Sequence, residues 1–152
     1  MENSSAQDTP SGKINVLLAE DHKITAKLIT AIIERSGKCR VTGVAENGRD
    51  VIELARKGDI DIIIMDINMP FVDGISAMES IFSFNSKAKI IILSGHTEAW
   101  IIKKSLNEGA SGYITKLTDL DTLVEAIVTV HSGGAFLDQF CMNVLVNELE
   151  VN

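Results

Sequence analysis

The chain is poor in the residues that stiffen or cross-link a fold: 2 cysteines, 2 prolines, 1 tryptophan and 1 tyrosine in 152 residues. The two cysteines, Cys39 and Cys141, have no metal-ligand spacing, which argues against a disulfide scaffold or a zinc site and for free thiols in a reducing compartment. Basic residues are also short, 14 against 21 acidic ones, for a net charge of −7. Without a basic stripe, direct contact of this chain with nucleic acid is not expected. No apolar run approaches the roughly 20 residues that span a bilayer. The start Met1-Glu2-Asn3-Ser4 has neither a basic nor an apolar leader region, so no signal peptide is expected. These absences together predict a cytoplasmic protein without a membrane partner. Apolar residues make up 45% and charged residues 23%, which suits one globular domain with a true core.

Residues 1–12 are polar and read as a disordered lead-in. Strand-like and helix-like segments then alternate. Strands are predicted over 14–19, 40–45, 60–65, 89–93 and 112–115. Helices are predicted over 23–36, 48–57, 76–84, 98–107 and 118–132. In the first helix Ile24, Leu28, Ala31 and Ile32 have the spacing of an inward stripe. In the fifth, Thr118 and Asp121 are candidate caps. Strands separated by helices pair in parallel with right-handed crossovers. The predicted fold class is therefore α/β, a five-stranded parallel doubly wound sheet of flavodoxin-like type. Its expected strand order is 2-1-3-4-5, with an extra C-terminal helix.

In that order the chain reverses between strands 1 and 3, and ligands gather at the carboxyl ends there. Those ends carry Glu20-Asp21 and Asp66. Asp21 as the cap of the next helix, and Asp66 as a turn residue before Met69-Pro70, are the plain readings of each alone. Three converging carboxylates repel unless a cation joins them, and hard oxygens favour Mg²⁺ or Mn²⁺. Ser94 follows strand 4 and Lys116 follows strand 5, on the same edge. A hydroxyl can donate to a phosphoryl oxygen and an ammonium can offset its charge, which leaves Asp66 as a nucleophile towards phosphorus.

These motifs have a family likeness. Glu20-Asp21, Asp66 with Met69-Pro70 and Asp73-Gly74, Ser94-Gly95, and Gly112-Tyr113-Ile114-Thr115-Lys116 resemble the motif set of response-regulator receiver domains, the CheY-like fold. The likeness covers 13–134. The stretch from Gly112 to Gly133-Gly134-Ala135-Phe136-Leu137 is most similar to receivers of LuxR-type (NarL/FixJ-like) regulators. The resemblance implies Asp66 as phosphoacceptor, with a sensor histidine kinase or phosphotransfer protein as donor. It implies Mg²⁺ held by Glu20, Asp21, Asp66 and the backbone carbonyl of Asn68. Ser94 and Tyr113 would be the switch residues, and Lys116 would contact the phosphoryl group. Asn68 and His96 fall where such domains tune phosphate loss, and Trp100 falls on their docking face. Self-phosphorylation and self-dephosphorylation are expected, with no outside substrate turned over. Many receivers have a cis proline after the lysine; here Leu117 follows, and a trans bond is expected.

Residues 135–152 form the last region, with a helix expected over 138–148 and Asp138 as its N-cap. Its apolar residues wrap most of its circumference, so it should pair with a second copy or dock on the receiver. In LuxR-type regulators this segment leads to a helix-turn-helix, which is not found here. A truncated regulator and a stand-alone adaptor receiver both remain open. Two rivals share the fold. A flavodoxin-like nucleotide or flavin module needs a phosphate loop after strand 1, where this chain has Glu20-Asp21. A haloacid-dehalogenase-like phosphatase has its nucleophile after strand 1, not strand 3.

Overall fold

The computed structural model describes residues 12–151, with the side chain of Val151 excepted. The lead-in expected at 1–12 lies outside the described residues save for Gly12. The strands are β1 (Ile14–Ala19), β2 (Cys39–Ala45), β3 (Ile62–Met65), β4 (Ile90–Ser94), β5 (Gly112–Thr115) and β6 (Phe136–Leu137). The helices are α1 (Lys23–Arg35), α2 (Gly48–Lys57), α3 (Gly74–Phe84), α4 (Ala99–Asn107), α5 (Asp121–His131) and α6 (Gln139–Val151). All strand pairs are parallel, in the order β2-β1-β3-β4-β5-β6.

The expected order 2-1-3-4-5 is present, with one strand more. Residues Phe136 and Leu137 pair with Gly112 and Tyr113 beyond β5. Two apolar residues after a glycine pair are too short to show a period, which is why this region reads as linker in the sequence. The central strands β3, β4 and β5 are buried along their whole length, as strands covered on both faces must be. One core joins the sheet to α1 and α5 through Ala26, Ile29, Ile33, Leu123, Ile127 and Val130. The other joins it to α2, α3, α4 and α6 through Val51, Met78, Ile81, Ile102 and Cys141. Cys39 and Cys141 are free and lie in opposite cores, so the sheet separates them.

The structure corrects the phase of α1. The buried stripe is Ala26, Ile29 and Ile33, whereas Ile24 is 81% and Leu28 52% exposed. Two apolar stripes of helical period run along this helix, and spacing alone cannot say which one the sheet covers. The start of α5 differs too. Leu120 stands at its N-cap, and Thr118 bonds elsewhere. At α1 the N-cap is His22, so Asp21 is not its cap. No helix of the described residues is long and apolar enough to cross a membrane.

Candidate functional site

Strands β1 and β3 lie side by side, with Ala19 opposite Met65. The next residue on each is therefore Glu20 beside Asp66. Both are buried, at 2% and 5% exposed, while Asp21 is exposed. One carboxylate oxygen from each of Glu20, Asp21 and Asp66 falls within 4.8 Å of the others. Lys116 meets the pair directly: its Nζ donates to Glu20 Oε1 at 2.8 Å and Asp66 Oδ2 at 2.9 Å. Burial alone would lower the lysine's pKa, but the bonds to Glu20 and Asp66 outweigh it and hold the group above its ordinary value. Backbone donors finish the carboxylates. The His22 N–H reaches Glu20 Oε2 at 3.1 Å, and the Asn68 N–H reaches Asp66 Oδ1 at 3.2 Å. Three carboxylates against one ammonium leave a surplus of negative charge. A compact set of hard oxygens with surplus negative charge fits a small divalent cation.

Local sequence explains how Asp66 is presented. The chain turns after Ile67, and the Gly74 N–H donates to Ile67 O at 2.8 Å. A Cβ at Gly74 would stand 2.2 Å from the Asp66 carbonyl oxygen, so only glycine lets α3 begin this close to the acid. Asp73 caps that helix, its side chain accepting from the Ser76 N–H. Ser94 closes β4 fully buried, and its hydroxyl accepts from the His96 N–H at 3.0 Å. Tyr113 on the neighbouring strand is also fully buried and donates its hydroxyl proton to His96 O at 2.8 Å. Burial pushes the Tyr113 phenol up to about 12. His96 Nε2 lies 3.1 Å from Asn68 Oδ1, so these two side chains bridge the loops after β4 and β3.

The structure thus brings together Glu20, Asp21, Asp66 and Lys116. It sets Ser94, Tyr113, His96 and Asn68 in one linked neighbourhood beside them. Trp100 is 65% exposed at the start of α4. The bond between Lys116 and Leu117 is trans, since the described residues contain no cis peptide. Sequence reasoning missed the second role of a third buried acid, Asp138. Asp138 caps α6 as expected, but it also reaches back to Thr115 and Thr118 around Lys116. More than 19 residues separate these partners, and no local pattern signals such a contact.

Comparison with known proteins agrees with the geometry. The sequence pattern of the response regulator receiver domain matches residues 16–128. The chain is 32% identical over 136 residues to the transcriptional regulatory protein DegU of Brevibacillus brevis, covering 90% of this chain and 58% of that protein. It is 35% identical over 124 residues to the response regulator UvrY of Escherichia coli, covering 82% of this chain and 57% of the relative. The chain therefore spans somewhat more than half the length of these curated relatives. A solved LuxR-family two-component response regulator from Aurantimonas superposes with a TM-score of 0.88 at 28% identity, covering 92% of this chain and 99% of that one.

Proposed function

Because the chain belongs to the response regulator receiver domain family of two-component systems, and is related to LuxR-type regulators, we propose that it accepts a phosphoryl group on Asp66. The donor is a phosphohistidine of a sensor histidine kinase or phosphotransfer protein. The single observation that carries this reading is the pairing of Lys116 with Asp66 and Glu20 at the switch point of the sheet.

An Asp66 carboxylate oxygen attacks phosphorus, and the bond from phosphorus to the donor imidazole nitrogen breaks. The electron pair leaves with the imidazole, and an acyl phosphate forms on Asp66. Glu20, Asp21, Asp66 and the Asn68 carbonyl would hold Mg²⁺, or Mn²⁺, which would supply positive charge to the transferring oxygens. Lys116 adds a second positive charge that is already within bonding distance of Asp66. The Ser94 hydroxyl, which accepts the His96 N–H here, turns to donate to a phosphoryl oxygen, and Tyr113, already buried beside it, is the aromatic of the switch. Dephosphorylation is the attack of water on the same phosphorus. His96 and Asn68, whose side chains meet at 3.1 Å, are the residues that tune its rate in this reading. The chain turns over no outside substrate in this scheme.

Residues 13–134 act as the receiver, and the segment from 135 onward carries the signal to an output. The output is control of transcription through a partner domain, as the curated relatives' names suggest, with the stand-alone adaptor as the alternative. The protein works in the cytoplasm, as a homodimer, and the chain itself makes no contact with DNA. A flavin or nucleotide module is the weaker reading, because the loop after β1 presents Glu20 where a phosphate would need N–H donors.

The test is intact-mass spectrometry after incubation with acetyl phosphate, with and without Mg²⁺. Wild type should gain one phosphoryl group only with Mg²⁺, and Asp66→Asn should gain none. No Mg²⁺-dependent adduct on wild type would overturn the proposal.

A further inference from the structure

Lys116 must hold a fixed position to serve Asp66, yet the residue after it is Leu117, 75% exposed and not proline. The backbone holds the lysine by two bonds, from the Lys116 N–H to Ser94 O at 2.9 Å and from the Thr118 N–H to Thr115 O at 3.1 Å. Further bonds to the residues on either side of it come from α6. Asp138 is 2% exposed, and its Oδ1 accepts the Cys141 N–H at 2.8 Å, which is an ordinary helix cap. Its Oδ2 takes three further bonds, all around Lys116. The Thr115 N–H donates at 2.7 Å, the Thr115 hydroxyl at 3.1 Å, and the Thr118 hydroxyl donates as well. The Asp138 N–H donates in turn to Tyr113 O at 3.3 Å. One carboxylate therefore grips both sides of the lysine and the strand of the buried tyrosine. A cap needs one oxygen; the second has no role in capping. Burial alone would raise the Asp138 carboxyl, but the bonds from Thr118, Cys141 and Thr115 outweigh it and hold the group below its ordinary value.

We propose that Asp138 is a positioning residue for the chemistry at Asp66: it fixes the Thr115–Thr118 turn so that the Lys116 ammonium meets the acid, and so makes docked α6 part of the phosphorylation site. This rests on Asp66 being the phosphoacceptor. It also gives the signal a route. A phosphoryl group that draws Lys116 towards itself pulls on the turn and so on α6, and by linkage a change in α6 alters phosphorylation.

The test separates capping from positioning in the full chain. Asp138→Ser keeps a good N-cap, but its hydroxyl is too short to reach Thr115. Thr118→Val removes one donor and leaves the cap untouched. Both variants should keep the far-ultraviolet helix signal of wild type and still bind Mg²⁺, because neither removes a carboxylate of the acidic cluster. Both should lose phosphorylation rate with acetyl phosphate, by about tenfold or more for Asp138→Ser, since small misplacements of a charge-stabilising group are costly. A second readout is the NMR signal of the Lys116 ammonium, sheltered from exchange in wild type by its two ion pairs and exposed in the variants. Rates within about twofold of wild type, or an unchanged ammonium signal in Asp138→Ser, would overturn the inference. If wild type itself takes no phosphate, the phosphoacceptor reading fails, and the ammonium signal alone then decides the positioning claim.

Discussion

Lys116 stands between two buried carboxylates, and neither can lose it without consequence. Removing one partner of such a cluster leaves uncompensated charge. Lys116→Met is therefore expected to destabilise the fold by roughly 1–3 kcal/mol in urea titration without divalent cation, discounted because the lysine is partly exposed. Added Mg²⁺ should restore part of that loss, because it offsets the same surplus of negative charge. The two shifted groups set opposite pH limits. The Lys116 pKa is raised above 10.5, so its stabilising contribution is fully present below 10.5 and is lost as pH rises through the higher folded value. The Asp138 pKa is lowered below 3.8, so its contribution is present above 3.8 and fades as pH falls through the lower folded value. Thermal melts across pH should show Asp138→Ser losing the acid limb and weakening the alkaline one, since its Lys116 is no longer held on its two acids. Gly74 is a third sensitive position. Ala there places Cβ against the Asp66 carbonyl, and moving α3 away costs about 1–3 kcal/mol or more. A Gly74→Ala protein with wild-type stability and phosphorylation would show that the approach is looser than 2.2 Å suggests.

Helix α6 belongs to the fold in two unequal ways. Its inward residues Cys141, Val144 and Leu145 pack against the core beside α4, whereas Lys103 and Glu148 form an ion pair near the surface. Exposed pairs contribute about 0–1 kcal/mol, and buried apolar side chains more. Lys103→Ala should therefore leave amide-exchange protection in α6 nearly unchanged. Val144→Ser with Leu145→Ser should release the helix while β1 to β5 stay protected. Equal loss of protection in both variants would contradict this order. The same helix shows where sequence carries structure and where it does not. Asp138 as N-cap was legible, because capping is local: the oxygen and the N–H it accepts are three residues apart. The central strands β3 to β5 were legible for a similar reason, since runs such as Ile62-Ile63-Ile64-Met65 fit few places other than a sheet covered on both sides. Glu20, Asp66, Ser94 and Lys116 followed from strand order, because every parallel strand ends on one edge. The phase of α1 and the second role of Asp138 were not legible. The first depends on which of two apolar stripes the sheet selects, the second on a contact across 20 residues or more.

At the scale of the whole molecule, α6 carries an apolar flank that remains to be covered. The outer flank of α6 shows Met142, Val146 and Leu149, which are 44%, 42% and 76% exposed. Their spacing of four then three residues is that of a coiled-coil seam, and Asn143, Asn147 and Glu150 border it. The inner flank already serves the receiver, so in the proposed homodimer this seam would face the second copy. If the docked helix is tied to Lys116, phosphorylation should change how firmly the seam is presented, and a ligand shifts an equilibrium only by its differential affinity for the two states. Sedimentation equilibrium should then show self-association that responds to acetyl phosphate with Mg²⁺. Val146→Asp sets a carboxylate in the middle of the seam and should weaken that association by about tenfold or more, or at least 1.4 kcal/mol. It should leave phosphorylation at Asp66 intact, because Val146 touches neither Asp138 nor the turn that carries Lys116. A wild type that stays monomeric at every concentration, with and without the phosphoryl donor, would remove the dimer and leave α6 as a part of the receiver alone.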